Sequence, residues 1–300
     1  MQKMTGIIAY KLKKWLPHAE RIAGEAGRLI MQYYESGAAV ETKGDGSPVT
    51  EADIASHHHI ISRLEQMADI GLLPRFPIVS EENKTQPDVS DGKPFWTVDP
   101  LDGTKGFVGR SGRFFVKIAL IENFKPVLGV IYEPATGVAY FSYEGGHSYR
   151  RNKDGSLDVI KTRKAPKAGE LTTIFNRLHH DPAAYDAAHK KLKGRGLAVQ
   201  DRGRADGSCS TAFHMAVASG QADIYVDCGQ NTDLRDGNGF SWDYAPDWLI
   251  LKSAGGSIIE IESGKEPVFN RPASRMNAMV GLGDKELGKN AFPEFKNDCV

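Results

Sequence analysis

Carboxylates gathered at a strand end are the first chemistry this sequence offers. The stretch Asp99-Pro-Leu-Asp102-Gly-Thr104 follows the apolar run Phe95-Trp-Thr-Val98. A strand delivers Asp99 at its end, Pro100 turns the chain, and Gly103 permits the tight conformation that brings Asp102 back. Two carboxylates, the Leu101 carbonyl and the Thr104 hydroxyl then converge within one turn. Hard oxygen donors at that density suit Mg²⁺, which takes carboxylates, water and substrate phosphate. The plainer reading is a surface turn, because Asp, Pro and Gly dominate turns in any case. Glu81 and Glu82 close another short apolar run, Pro77-Ile-Val-Ser80. Far along the chain, Asp243 stands where a helix should begin, with Pro246 tolerated in its first turn and Gly255-Gly256 ending it. Read alone, Asp243 is an ordinary helix cap.

Other chemistries lack their signatures. There is no G-x-x-x-x-G-K-[ST], no G-x-G-x-x-G, no H-E-x-x-H and no G-x-S-x-G. The 300 residues carry 38 basic and 38 acidic side chains, a formal charge of zero. A nucleic-acid polymer demands a basic excess, so that partner is excluded, whereas a small anion is not. Apolar residues at 40% and charged residues at 25% fit an ordinary globular chain. Cys209, Cys228 and Cys299 are odd in number and widely spaced, which argues against a disulfide framework or a zinc knuckle. No window approaches the roughly 18 apolar residues of a membrane span, and the N-terminal apolar stretch is too short for a signal peptide. The expectation is a cytoplasmic protein with no membrane partner.

The elements that must position these carboxylates follow from periodicity. Leu12, Trp15, Leu16, Ala19, Ile22, Ala23, Ala26, Leu29, Ile30 and Tyr33 recur at helical spacing over 7–34, with Pro17 as a point of interruption. After a Gly/Ser-rich loop, Thr50 caps a second helix running to about Met67, and Asp53 sits at the capping-box position. Strands follow at 95–98, 114–121, 127–132 and 138–143, an antiparallel meander. The basic, Pro-broken stretch from Lys161 marks a boundary between a domain over 1–165 and one over 166–300. In the second, strands at 172–175, 197–200, 222–226 and 257–261 alternate with helices at 182–192, 210–219 and 244–254, which calls for partly parallel pairing. The fold class is therefore α+β in the N-terminal part and α/β in the C-terminal part.

Taken together, Gly46-Ser-Pro-Val-Thr-Glu-Ala-Asp53, Val79-Ser-Glu-Glu82, Asp99-Pro-Leu-Asp-Gly-Thr104, Gly207-Ser208 and Trp242-Asp243 resemble, in order, the motifs of the inositol monophosphatase superfamily of Mg²⁺-dependent, lithium-sensitive phosphatases. The resemblance covers nearly the whole chain and implies a layered αβαβα sugar-phosphatase-like fold. It implies that Glu81, Asp99, the Leu101 carbonyl and Thr104 surround a first metal, and that Asp99, Asp102 and Asp243 hold a second. Two or three Mg²⁺ per site and inhibition by Li⁺ are implied with it. The resemblance further implies that Asp53 pairs with the Thr104 hydroxyl and, with Glu81, positions and deprotonates the attacking water. It also implies that Gly207 and Ser208, at a helix start, present backbone N–H groups to phosphate. Paired divalent ions suit such a reaction, and they let a neutral chain bind a dianion.

Within that superfamily, Asp99-Pro-Leu-Asp-Gly-Thr-Lys105-Gly-Phe107 is similar to the 3′(2′),5′-bisphosphate nucleotidases. The resemblance implies hydrolysis of 3′-phosphoadenosine 5′-phosphate to AMP and phosphate, with Gly103, Thr104 and Lys105 against the substrate. The chain departs from that pattern twice. Asn176-Arg177-Leu178-His179 stands where Ser-Arg-Ser-His is usual, and Thr211 stands where the nucleotidases carry a lysine. Arg177 and His179 remain candidates for substrate contact or for plain surface residues. The alternatives are an inositol monophosphatase or other sugar-phosphate phosphatase and, from a different class, a non-enzymatic metabolite-binding relative. The implied partner is a small phosphorylated substrate, and the chain is a monomer or a homodimer.

Other features have blander readings. His57, His58 and His59 point about 100° apart on a helix and belong to a solvated face or edge. Trp15, Trp242 and Trp248 read as core. Arg110 and Arg113 serve substrate or solvent. The segment 230–241 reads as a loop that shapes the leaving-group pocket.

Overall fold

The computed structural model describes residues 6–37, 39–42, 48–164, 172–175, 190, 198–200, 209–227, 239–270, 276–277 and 279–284. Helix α1 (Gly6–Ser36) runs unbroken through Pro17, contrary to the expected interruption. A mid-helix proline costs about 3 kcal/mol. Leu12, Leu16, Ile22 and Ile30 on the same helix are all buried, and each returns roughly 1.5–3 kcal/mol. A short antiparallel pair, β1 (Val40–Thr42) and β2 (Pro48–Thr50), leads into helix α2 (Glu51–Asp69). The capping box at its start is formed: Thr50 Oγ1 accepts the Ala52 N–H, and Asp53 Oδ2 accepts the Thr50 N–H.

A seven-stranded sheet follows, in chain order: β3 (Ile78–Ser80), β4 (Phe95–Asp102), β5 (Phe115–Glu122), β6 (Lys125–Glu133), β7 (Val138–Tyr143), β8 (Ser148–Arg151) and β9 (Leu157–Ile160). Only β3 pairs in parallel, with β4; the rest is the expected meander, carried two strands further. Strand β4 does not end at Val98. It continues to Asp102 through a bulge between Asp99 and Asp102, where the short helix α3 (Thr104–Val108) begins. The second sheet is five-stranded, in the order β11 (Ala198–Gln200), β10 (Thr172–Phe175), β12 (Ile224–Asp227), β14 (Met279–Leu282), β13 (Ser257–Glu260). Strand β10 is parallel to β11 and β12, whereas β14 is antiparallel to β12 and β13. Helices α4 (Ser210–Ala218) and α5 (Ser241–Ser253) lie between the two sheets.

The central strands are buried on both faces, so alternation sorts their residues between two cores. Trp96, Val98, Val116, Ile118 and Leu120 meet α1 and α2. Phe95, Phe115, Ala119 and Ile121 meet α5 and, beyond it, Tyr225, Ile258 and Met279 of the second sheet. Helix α5 comes close: a Cβ on Gly129 of β6 would lie 3.0 Å from Pro246 Cα. The described layers are thus helix, sheet, helix, sheet, an α+β part followed by an α/β part. The expected helix over 182–192, which would supply a fifth layer, lies almost wholly outside the described residues. Among the described residues, no helix is long and apolar enough to cross a membrane.

Candidate metal and phosphate site

Alternation along β4 puts Asp99 on the α5 face with Phe95, and its cross-strand partner on β5 is Lys117. Asp99 is 1% exposed, and its Oδ1 accepts the Leu101 N–H at 3.1 Å. The bulge then redirects the chain so that Asp102 serves the same face. Gly103 closes the corner at φ +87°, where an added Cβ would also stand 2.8 Å from the Arg113 carbonyl. Only glycine fits there. Asp243 enters from the opposite side, in the first turn of α5, which begins three residues ahead of the expected start. Its Oδ2 accepts the Phe240 N–H at 2.5 Å. One carboxylate oxygen each from Asp99, Asp102 and Asp243 lie within 4.8 Å of one another.

Beside this triad lies a second hydrogen-bonded unit. Asp53, 2% exposed, accepts the Thr50 hydroxyl at 2.6 Å on Oδ2 and the Thr104 hydroxyl at 3.1 Å on Oδ1. Thr104 Oγ1 is also 3.2 Å from the Leu101 carbonyl. Burial raises the Asp53 pKa, and the Glu82 charge adds to that, while the hydrogen bonds from Thr50 and Thr104 oppose it. Glu81 leaves the end of β3, where its N–H donates to the Val98 carbonyl at 3.1 Å.

Two members of the triad, Asp99 and Asp243, resist ionisation. Burial lifts Asp99 well above the usual carboxylate range, and the charges of Glu81, Asp102 and Asp243 lift it further against Lys117. Burial likewise pushes Asp243 up to about 8, with Lys117 opposing and Asp102 and Glu81 reinforcing. Three crowded, all-oxygen carboxylates, one buried and two half-buried, fit a hard divalent cation.

Behind the triad sits a network that the residue pattern left unassigned. Lys117 is 2% exposed. Its Nζ donates to Thr211 Oγ1 at 2.7 Å and to the Asp243 main-chain carbonyl, and it ion-pairs with Asp247 Oδ2 at 2.7 Å. The Thr211 hydroxyl in turn donates a hydrogen bond to Asp102 Oδ2 at 2.6 Å. Asp247 in turn lies 3.2 Å from His214 Nδ1. Burial works against the charge on Lys117, but Asp247, Asp102, Asp243 and Asp99 outweigh it and hold the ammonium protonated. Position 211 therefore lacks the nucleotidase lysine, yet a cation reaches its hydroxyl from β5. The available signal was a lysine inside Phe114-Phe-Val-Lys-Ile-Ala-Leu-Ile121: a charge in an unbroken apolar strand needs a buried partner.

The remaining sequence candidates divide into three groups. Lys105 is exposed on α3, next to Thr104. Arg177, His179, Gly207, Ser208 and the segment 230–238 lie outside the described residues. Arg113 pairs with Glu133 at 3.1 Å, and Arg110 lies over the Tyr34 ring at 4.7 Å. The histidine run is not all solvated: His57 is buried, its Nδ1 2.9 Å from Ser80 Oγ, and His59 lies 3.3 Å from Glu25. Trp242 and Trp248 are core residues, as expected.

Comparison with known proteins points to one family. The family model described as "Inositol monophosphatase family" matches residues 11–285. The 3′(2′),5′-bisphosphate nucleotidase CysQ of Escherichia coli (strain K12) is 44% identical over 241 residues, covering 79% of this chain and 87% of that protein. The CysQ nucleotidase of Aggregatibacter actinomycetemcomitans is 30% identical over 266 residues, 87% of this chain and 90% of that one. Among solved structures, CysQ from Bacteroides thetaiotaomicron, described as a bacterial member of the inositol monophosphatase family, superposes with a TM-score of 0.69 at 28% identity. It covers 89% of this chain and 96% of that one. An IMPase of Thermotoga maritima shares the fold, with a TM-score of 0.69 at 20% identity over 99% of this chain and 100% of that one.

Proposed function

This chain belongs to the inositol monophosphatase family and is a phosphoric monoester hydrolase, and from that premise we propose that it removes the 3′-phosphate of 3′-phosphoadenosine 5′-phosphate, giving AMP and phosphate. The observation that carries this reading is the carboxylate triad Asp99, Asp102 and Asp243 standing beside the Asp53–Thr104 pair. Its finer part, the nucleotide substrate, is supported by relatives at 30–44% identity that bear the nucleotidase name.

In this reading Asp99, Asp102 and Asp243 would hold one Mg²⁺, and Glu81, Asp99, the Leu101 carbonyl and Thr104 would hold another. When bound, Mg²⁺ supplies Lewis acidity and a positive charge for the phosphoryl group and its leaving oxygen. Asp53 accepts the Thr104 proton in a hydrogen bond, which turns the Thr104 oxygen into an acceptor for a water. Glu81 and that pair then orient the water and take up its proton. Gly103 and Thr104, with backbone N–H groups of Gly207 and Ser208, contact the phosphate, and Lys105, Arg177 and His179 are assigned to the rest of the substrate. Li⁺ competes for the site and inhibits. The setting is cytoplasmic, which the free Cys209 thiol suits.

A second reading, an inositol-phosphate or other sugar-phosphate phosphatase, has one observation in its favour. The nucleotidase lysine is absent at position 211, and the threonine there is hydrogen-bonded to Asp102. Phosphate release from 3′-phosphoadenosine 5′-phosphate, inositol 1-phosphate and fructose 1,6-bisphosphate, with Mg²⁺ titrated, separates the two. The expected result is the highest kcat/KM on the nucleotide. A preference of more than about tenfold for either of the others overturns the nucleotide assignment while leaving the phosphatase in place.

A further inference from the structure

Lys117 is a cation sealed behind the carboxylate triad, and its partners come from three separate elements. Thr211 belongs to the first turn of α4, Asp243 and Asp247 to the start of α5, and Asp102 to the end of β4. An ammonium has three protons to donate. Two of them go to Thr211 Oγ1 and the Asp243 carbonyl, and Asp247 Oδ2 lies 2.7 Å away as the ion-pair partner. At Asp243, Lys117 grips the main chain and leaves the carboxylate to the triad. At Asp102 the effect is indirect. The Thr211 hydroxyl at 2.6 Å, the Cys209 thiol at 3.4 Å and Lys117 Nζ at 3.5 Å all address Oδ2. A carboxylate tethered by several donors through one oxygen cannot turn freely, and its other oxygen keeps a fixed direction.

We propose that Lys117 is a positioning residue: its ammonium holds Asp102 and Asp243 at the separation at which they share one divalent cation. The lysine touches neither substrate nor cation. It acts by tying the last residues of β4 to the first turns of α4 and α5. An ammonium brought to the same point from position 211, whose hydroxyl lies 2.7 Å from Lys117 Nζ, would do the same work. The inference rests on the metal reading above.

Three variants test it: Lys117→Met, the charge-neutral pair Lys117→Met with Asp247→Asn, and the transposed pair Lys117→Met with Thr211→Lys. Removing the lysine alone strands Asp247 as a buried unpaired carboxylate, which destabilises the fold in its own right. The two double variants remove that complication. Melting temperature is recorded for each, along with Mn²⁺ affinity by electron paramagnetic resonance of the phosphate-free protein. The expected result is that the neutral pair melts near the parent but binds Mn²⁺ at least tenfold more weakly. Half-saturation for Mg²⁺ in turnover should rise in step, with the substrate KM at saturating Mg²⁺ within about threefold of the parent. The transposed pair should recover most of the Mn²⁺ affinity. A folded neutral pair with parental Mn²⁺ affinity, or a folded transposed pair as weak as the neutral one, overturns the proposal. Loss of the fold in both double variants also overturns it, leaving the lysine a structural role only. If the parent itself binds no Mn²⁺, it is the metal reading that fails, and the inference falls with it.

Discussion

The two faces of the seven-stranded sheet are built from the same strands and do opposite things. Toward α1 and α2, alternate residues of β4 and β5 are Trp96, Val98, Val116, Ile118 and Leu120, closed under apolar helices. Toward α5, the other residues of those strands include Asp99 and Lys117, with Asp102 just beyond the bulge. The first face stabilises by burial alone. The second accepts crowded carboxylates and a buried ammonium that cost stability until a cation arrives. The difference shows that this fold pays for its site with a dry face one residue out of phase.

The largest effect should come from the α5 face and should leave the fold standing. Asp99→Asn is expected to lower kcat by three orders of magnitude or more, because it removes the one carboxylate assigned to both cations. The metal-free variant should melt no lower than the parent, since the neutral amide relieves repulsion from Glu81, Asp102 and Asp243. Retained turnover, measured as phosphate release, would break the contrast between the faces. On the α1/α2 face the pattern should invert. Ile118→Ala, at a fully buried position, is expected to cost about 2–5 kcal/mol in denaturant unfolding, with kcat of the folded fraction close to parental.

The pH dependence sharpens the same comparison. The folded-state pKa values of Asp99 and Asp243 lie above those of the unfolded chain, Asp243 reaching about 8. The folded state therefore holds protons that the unfolded state releases. Stability contributed in this way is present at low pH and is lost as pH rises from about 4 toward 8. The metal-free melting temperature should fall over that window, and saturating Mg²⁺ should flatten the curve. A metal-free melting temperature that climbs steadily from pH 5 to pH 8 would contradict this placement of charge. The smallest effect belongs to neither face. Thr50→Ala removes one cap contact of α2 and one hydrogen bond to Asp53. It should cost about 1 kcal/mol, or roughly 2–4 °C in melting temperature.

Which parts were legible in the sequence follows from the range of the forces involved. Asp53, Asp99, Asp102 and Asp243 sit at caps and corners, and caps and corners are written in a few consecutive residues. The meander and the alternation beyond it were legible for the same reason. The Lys117 network was not, because it joins β5 to α4 and α5 across about a hundred residues, and no local pattern reports which helix covers which face. At Pro17 the local penalty, which a short window shows, is outweighed by burial along the whole of α1, which it does not. The burial of His57 is likewise non-local, since the strand it meets, ending in Ser80, lies beyond its own helix. The bulge at Asp99 and Asp102 depends on pairing with β5, so the run of β4 past Val98 could not be read from β4 alone.

The most direct test of the central claim is phosphate release from 3′-phosphoadenosine 5′-phosphate by chelator-stripped protein into which Mg²⁺ is titrated back. The expected result is no turnover after stripping and saturable recovery with Mg²⁺, absent in Asp99→Asn. Turnover that survives the chelator unchanged would contradict the assignment of Asp99, Asp102 and Asp243 to a metal-dependent phosphatase site.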